Sequence, residues 1–164
     1  MPERRTIERA RRDKREGKSP STQAGEFVRE EIDHIRAGKH GARSTKQAIA
    51  IGLSKARRAG VNLPAPKKGT TSAKTRKSAK SALAAGRAHK KTSAKRSRAT
   101  ENALKREGRS AASPSALSRQ AKSASRKRSA ASRSASARKA AKTKGPRARV
   151  AAARKAARTR ARSR

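Results

Sequence analysis

The chain has 164 residues, the length of one ordinary domain, but 49 are Lys or Arg against 10 Asp or Glu, a formal net charge of +39. Of its hydrophobic residues 36 are Ala, leaving 15 larger ones: five Ile, five Leu, three Val, Phe27 and Met1. So little apolar surface cannot offset the entropy of ordering every residue, and self-repulsion adds to the deficit, which excludes one conventional core and predicts disorder over most of the chain.

The absence of Cys excludes a disulfide framework, a thiolate metal site and a cysteine nucleophile. The absence of Trp and Tyr leaves only Phe27 for base stacking, so a sequence-tolerant aromatic platform for single strands is excluded too. The longest apolar run, Ala48-Ile49-Ala50-Ile51, is far short of the ~20 residues that cross a bilayer. An Arg-rich beginning suggests an organelle presequence, but Glu3, Glu8, Asp13 and Glu16 interrupt it. The expectation is a cytoplasmic, nucleoid-associated chain.

Residues 1 to 33 carry nine bases and eight acids, residues 34 to 66 seven bases and no acid, and residues 67 to 164 carry 33 bases and two acids. Large apolar residues run the other way, with ten between Ile7 and Leu63 and only Leu83, Leu104, Leu117 and Val150 after Pro66. This contrast predicts a small helical head over 1–63, a Pro/Gly linker over 64–69 and a low-complexity basic tail over 70–164.

Residues 3 to 16 pair charges at helical spacing, as in Arg4 with Glu8 and Arg12 with Glu16. With only Ile7 and Ala10 apolar, this helix is expected to be solvent-exposed and to close near Gly17. A second helix is predicted to open at Ser21 or Thr22 and close at Gly38, with Ala24, Phe27, Val28, Ile32 and Ile35 on one face. Glu26, Glu30 and Asp33 fall on the opposite side, while Glu31 projects into the apolar stripe and needs a basic partner. The third helix opens at Ser44 with the capping box Ser44-Thr45-Lys46-Gln47 and ends at Gly60, where Val61 completes a Schellman cap. Ala48, Gly52, Ala56 and Ala59 form a smooth strip on it, into which the Phe27 ridge is expected to dock as a helical hairpin. A pair this small is marginal alone, so self-association through the head is a further expectation.

The tail contains Ala-rich stretches at 73 to 85, 97 to 107, 114 to 131, 134 to 144 and 146 to 162, ending at Gly86, Gly108 and Gly145 or starting at Pro114 and Pro146. None has a wide apolar face. Repulsion between like charges predicts that they stay unfolded in water and become helical on a polyanion. The fold expected is a small all-α head, a helical hairpin plus an exposed N-terminal helix, with a long, mostly disordered basic tail.

The histidines are His34, His40 and His89. Grouping His34 and His40 with Glu30 makes a metal reading, but Gly38 breaks the helix between them, no zinc-helix spacing occurs and the bases around oppose a cation. The expectation is no metal, no cofactor and solvated or phosphate-facing imidazoles. No Gly-x-Ser-x-Gly elbow exists and no rigid frame holds a nucleophile against a base, so no catalytic residue and no enzymatic activity is expected.

Gly38-Lys39-His40-Gly41 followed by Ala42-Arg43-Ser44-Thr45-Lys46 places two glycines, cationic side chains and a helix N-terminus around one point, an arrangement suited to a phosphate. Nucleic-acid contacts are therefore expected from Lys39, Arg43 and Lys46 in the loop and from Lys55, Arg57 and Arg58 at the end of the third helix. Beyond them the expected contacts are Lys67 and Lys68 in the linker, Lys90 and Lys91, Arg126, Lys127 and Arg128, Arg147 and Arg149, and Arg158 and Arg160. Without interleaved aromatics these contacts go to phosphates rather than base edges.

Gly25-Glu26-Phe27-Val28-Arg29-Glu30-Glu31-Ile32 and the run from Ser44 through Lys-Gln-Ala-Ile-Ala-Ile to Ala56 resemble a family of small basic bacterial proteins known only as a domain of unknown function. The resemblance covers residues 20 to 66 and implies bacterial origin without an activity. The tail is similar to the Ala/Lys/Arg-rich tails of linker histones and bacterial histone-like nucleoid proteins, but the winged-helix domain of a linker histone is missing. The leading expectation is a non-enzymatic histone-like protein that binds and compacts double-stranded DNA through the phosphate backbone. The alternatives are an RNA- or ribosome-associated protein and, from another class, a cationic protein on anionic membranes. Integral membrane contact is not expected, because four large apolar residues in the tail make no inserting face.

Overall fold

The computed structural model describes residues 2–88 and 92–162. Among them are seven α-helices: α1 (Arg4–Arg15), α2 (Pro20–Arg36), α3 (Thr45–Arg58), α4 (Ala73–Arg87), α5 (Ala94–Lys105), α6 (Pro114–Arg126) and α7 (Ala130–Arg162), with a single 3-10 turn at Ser110–Ala112. The chain divides into two compact units, Met1–Gln120 and Ala121–Arg164.

The local signals act as their chemistry requires. Pro20 takes the first position of α2, where its missing N–H costs nothing, so the helix opens slightly earlier than Ser21. Ser44 Oγ caps α3 by accepting from the Gln47 N–H at 3.2 Å. At its other end Val61 N–H donates to the Ala56 carbonyl and Gly60 N–H to that of Arg57, the two bonds of a Schellman motif.

The two helices of the α2–α3 pair run antiparallel, with one apolar cluster at each end. Ala10, Ala24, Phe27, Ala56 and Val61 form the first, with Ile7, Leu53 and Leu63 against it. Ile32, Ile35, Ala42, Ala48, Ala111 and Ala112 form the second, with Val28 and Leu117 against it. Gly52 lies at the crossing: a Cβ there would stand 2.6 Å from Val28 Cα and 3.0 Å from the Phe27 carbonyl oxygen.

Three expectations are corrected. First, α1 is not an exposed helix. Thr6, Ala10 and Asp13, at spacings of four and three, face inward against α2, where Arg9 pairs with Glu26 at 2.5 Å and Lys18 with Asp13 at 2.8 Å. Its inner face is small and polar, so a reading based on large apolar residues misses it. Second, Glu30 does not point away from the pair; it is buried and accepts a hydrogen bond from the Glu3 backbone N–H.

Third, the described residues after Pro66 are not disordered, and most of their Ala-rich stretches lie in helices without a polyanion. Ala, Arg and Lys stand near the top of the helix scale, and each like-charge pair along a helix costs only about 0.2–0.5 kcal/mol. Ser72 caps α4 through the Thr75 N–H, and the positive φ of Gly145 breaks α7 ahead of Pro146. In the first unit, tertiary contacts add to propensity. Ala79, Ala82 and Gly86 line a narrow seam of α4 against α3, so Gly86 is a packing residue inside the helix rather than its stop. The 110–112 turn inserts Ala111 and Ala112 into the second cluster. Among the described residues nine of the thirteen buried hydrophobic side chains are alanine, which is why counting larger residues understates this core.

Candidate nucleic-acid interface

The loop after α2 is held by the chain itself. Gly41 N–H donates to the Leu104 carbonyl at 2.9 Å, Ala42 N–H to that of Gly108 at 3.0 Å, and Arg43 N–H to Gln47 Oε1 at 2.9 Å. Gly41 has no side chain because the backbone of Glu107 occupies that space. These amides cannot also cradle a phosphate. The Gly38–Gly41 loop is a receptor for residues 104–108.

The charged groups expected to meet nucleic acid divide accordingly. Lys39 lies 3.2 Å from Glu3 Oε1, and the same oxygen sits 2.9 Å from His34 Nε2. Hydrogen bonds from His34 and then Lys39 hold the Glu3 carboxyl down at about 2, well below the usual carboxylate range. Lys55 turns inward and pairs with Glu31 at 2.5 Å and Glu30 at 3.8 Å, supplying the basic partner that Glu31 needs in an apolar stripe. Arg57 is buried, donating to the carbonyls of Leu63 at 3.1 Å and Pro64 at 3.2 Å. Burial lowers its pKa, and its geometry makes it a clamp on the strand of chain leaving α3.

Lys46 and Arg58 are exposed on α3, and Lys67 and Lys68 are exposed in the segment before α4. Arg43 is also exposed, 3.7 Å from Glu107 Oε1. Lys90 and Lys91 lie outside the described residues. In the second unit every expected contact is exposed: Arg126 and Lys127 end α6 and the turn after it, and Arg147, Arg149, Arg158 and Arg160 project from α7 beyond Gly145. Arg128 folds back to hydrogen-bond the carbonyl of Ser132 at 2.8 Å and the hydroxyl of Ser136.

Residues 121 to 164 hold 17 bases and no acid, and α7 has no buried residue. On the helix after Pro146, Arg147, Arg154, Lys155, Arg158 and Arg162 fall on one side and Arg149 and Arg160 on the other, by the helical repeat of 3.6 residues. Before Gly145, Arg138, Lys139 and Lys142 face opposite Arg133 and Lys144. Lys139, Lys142, Arg154, Lys155 and Arg162 are absent from the contacts expected from sequence, and the i, i+7, i+8, i+11 and i+15 spacing of Arg147, Arg154, Lys155, Arg158 and Arg162 is the signal for those after Pro146.

Residues 3–68 match a family of unknown function, DUF6496. The match covers α1 through α3 and the segment that follows, the part whose Lys-Gln-Ala-Ile-Ala-Ile run resembles such a family. No curated protein and no solved structure matches the chain.

The structure also brings together groups that the sequence separates. His34 and His40 meet edge to face, ring centroids 6.2 Å apart, and His40 Nε2 stands 3.3 Å from Glu31 Oε1. The partner carboxylate is Glu31 rather than Glu30. The Gly38 break allows the meeting, because it folds the loop back over the end of α2.

Proposed function

We propose that the protein is a non-enzymatic, sequence-nonspecific DNA-binding protein that neutralises and bridges duplexes through its basic helices. The reading rests on one observation: 17 bases and no acid in residues 121 to 164, twelve of those bases on α7, which buries nothing. A charge run on a helix is ordinarily a solvated face, but solubility does not call for this density.

The helix from residue 146 to residue 162 is ~25 Å long, comparable with one duplex turn of ~34 Å, and its Arg147/Arg154/Arg158 side reaches phosphates along a groove. Arg149 then faces away and meets a second duplex. Opposed basic faces thus favour bridging and compaction over a single docked complex. In the first unit Lys46, Arg58, Lys67 and Lys68 add exposed charge, whereas Lys55 and Arg57 take no part because their donors serve internal acceptors.

The test is competition among duplex DNA, a structured RNA and anionic vesicles for the full chain at one salt concentration, with a salt titration on the preferred ligand. Ten simultaneous phosphate contacts give a slope of log K against log salt of about −9. Duplex preference with a steep slope supports the reading. RNA preference transfers it to an RNA-associated role, and a shallow slope on every ligand removes it.

A further inference from the structure

Acids gather beside α2. The carboxylates of Glu3, Glu30 and Glu31 meet Lys39 and Lys55, the imidazoles of His34 and His40 join the same group, and Arg5, Arg9 and Arg29 line the pocket beside Glu3, Glu30 and His34. One ligand atom from each of Glu31, His34 and His40 lies within 4.8 Å of the other two. Glu31 is wholly buried, and neither of its oxygens completes a hydrogen bond among the described residues. Lys55 supplies charge to Oε2, which leaves Oε1 facing Nε2 of His40.

Each imidazole is already held by its far nitrogen. His40 Nδ1 lies 3.1 Å from the Gly41 carbonyl, so Nδ1–H donates and, in the neutral ring, Nε2 turns its lone pair toward Glu31. His34 Nε2 lies 2.9 Å from Glu3 Oε1, so Nε2–H donates and, in the neutral ring, Nδ1 keeps the lone pair. Tying one nitrogen to a carbonyl or carboxylate fixes the tautomer and ring plane of a metal-ligating histidine. In that tautomer Glu31 Oε1 and His40 Nε2 are two acceptors face to face, and a positive centre relieves them. Their separation of 3.3 Å equals the edge, about 3.3 Å, of a tetrahedron with zinc–ligand distances of about 2.0–2.1 Å.

We propose that Glu31, His34 and His40 bind a divalent transition cation, zinc in preference to calcium or magnesium, because two of the three donors are imidazole nitrogens. Three protein ligands leave a position for water, which the partly exposed edges of both imidazoles can admit. The ion ties α2 to the loop that receives residues 104–108, so binding tightens the seat of that later segment. The general argument that a basic chain repels cations is offset here by the buried carboxylate of Glu31, whose oxygens complete no hydrogen bond among the described residues.

The test titrates the full chain with Co2+ and Zn2+ in phosphate-free buffer. The expected result is one strong tetrahedral cobalt absorption per chain, its displacement by zinc, and a zinc-dependent rise in the melting midpoint. His34→Gln and His40→Gln are each expected to weaken binding about 10–100-fold, while His89→Gln leaves it unchanged. Circular dichroism establishes that the variants keep their helices. A weak octahedral cobalt spectrum on the wild type overturns the proposal whatever the variants do, and so does equal affinity in the wild type and a folded His40→Gln.

Discussion

The hydroxyl of Thr45 donates a 2.7 Å hydrogen bond to the carbonyl of Ala111, a buried contact between residues 66 apart in sequence. It joins the first turn of α3 to the 3-10 turn that fills the second apolar cluster, and Arg36 Nε adds a bond to the next carbonyl, that of Ala112, at 2.9 Å. Thr45→Val leaves the Ala111 carbonyl buried without its donor, which costs about 1–3 kcal/mol. Urea melts of the full chain measure this. A change below about 0.5 kcal/mol, the range of ordinary surface substitutions, means that the turn is not docked.

Gly52→Ala is expected to destabilise even though Ala exceeds Gly in helix propensity by about 1 kcal/mol. The new methyl meets backbone atoms of Val28 and Phe27, which cannot rotate away as a side-chain tip would. Gly52→Leu is expected to lose more, with overpacking costing about 1–3 kcal/mol or beyond. Thermal melts decide, and a Leu variant as stable as the wild type excludes the α2–α3 crossing.

Gly86 offers an independent test of the seam between α4 and α3. A Cβ at this position falls directly on the carbonyl oxygen of Arg57, so Gly86→Ala is expected to separate the two helices while favouring α4 itself. Hydrogen exchange then shows faster exchange for α4 amides and loss of protection around Arg57. Unchanged or increased protection contradicts the packed seam.

Acid titration follows from Glu3. Its folded pKa of about 2 lies below the ordinary value of 4.5, so the unfolded chain takes up this proton first as pH falls. The stabilisation is therefore complete above about 4.5 and fades between about 4.5 and about 2. The melting-point gap between wild type and Glu3→Gln should be open near neutral pH and narrow across that window. A gap independent of pH means that His34 and Lys39 do not hold the carboxylate in solution.

Signals contained in a few neighbouring residues were legible from the chain alone. The capping box at Ser44, the Schellman ending at Gly60 and Val61, and the Phe27–Ile35 stripe each specify local geometry, and the structure places them accordingly. The phosphate-binding reading of the Gly38–Gly41 loop shows the limit. Its glycines and helix N-terminus suit an anion equally well as they suit a docked chain, and only the arrival of Leu104 and Gly108 shows which acceptors its amides take.

Composition by itself determined the basic charge and the absence of thiol chemistry, because these depend on residue type alone, whereas its expectation that the Ala-rich stretches stay unfolded in water is overturned by the helices they form. Tertiary structure decided that α1 packs on α2, that α4 and the 110–112 turn complete a core assembled largely from alanine, and that Glu31, His34 and His40 converge. Alanine carries no strong hydrophobic signal in a sequence. Between closely approaching helices its smallness becomes the fit, and that property belongs to the pair of surfaces rather than to either strand of sequence.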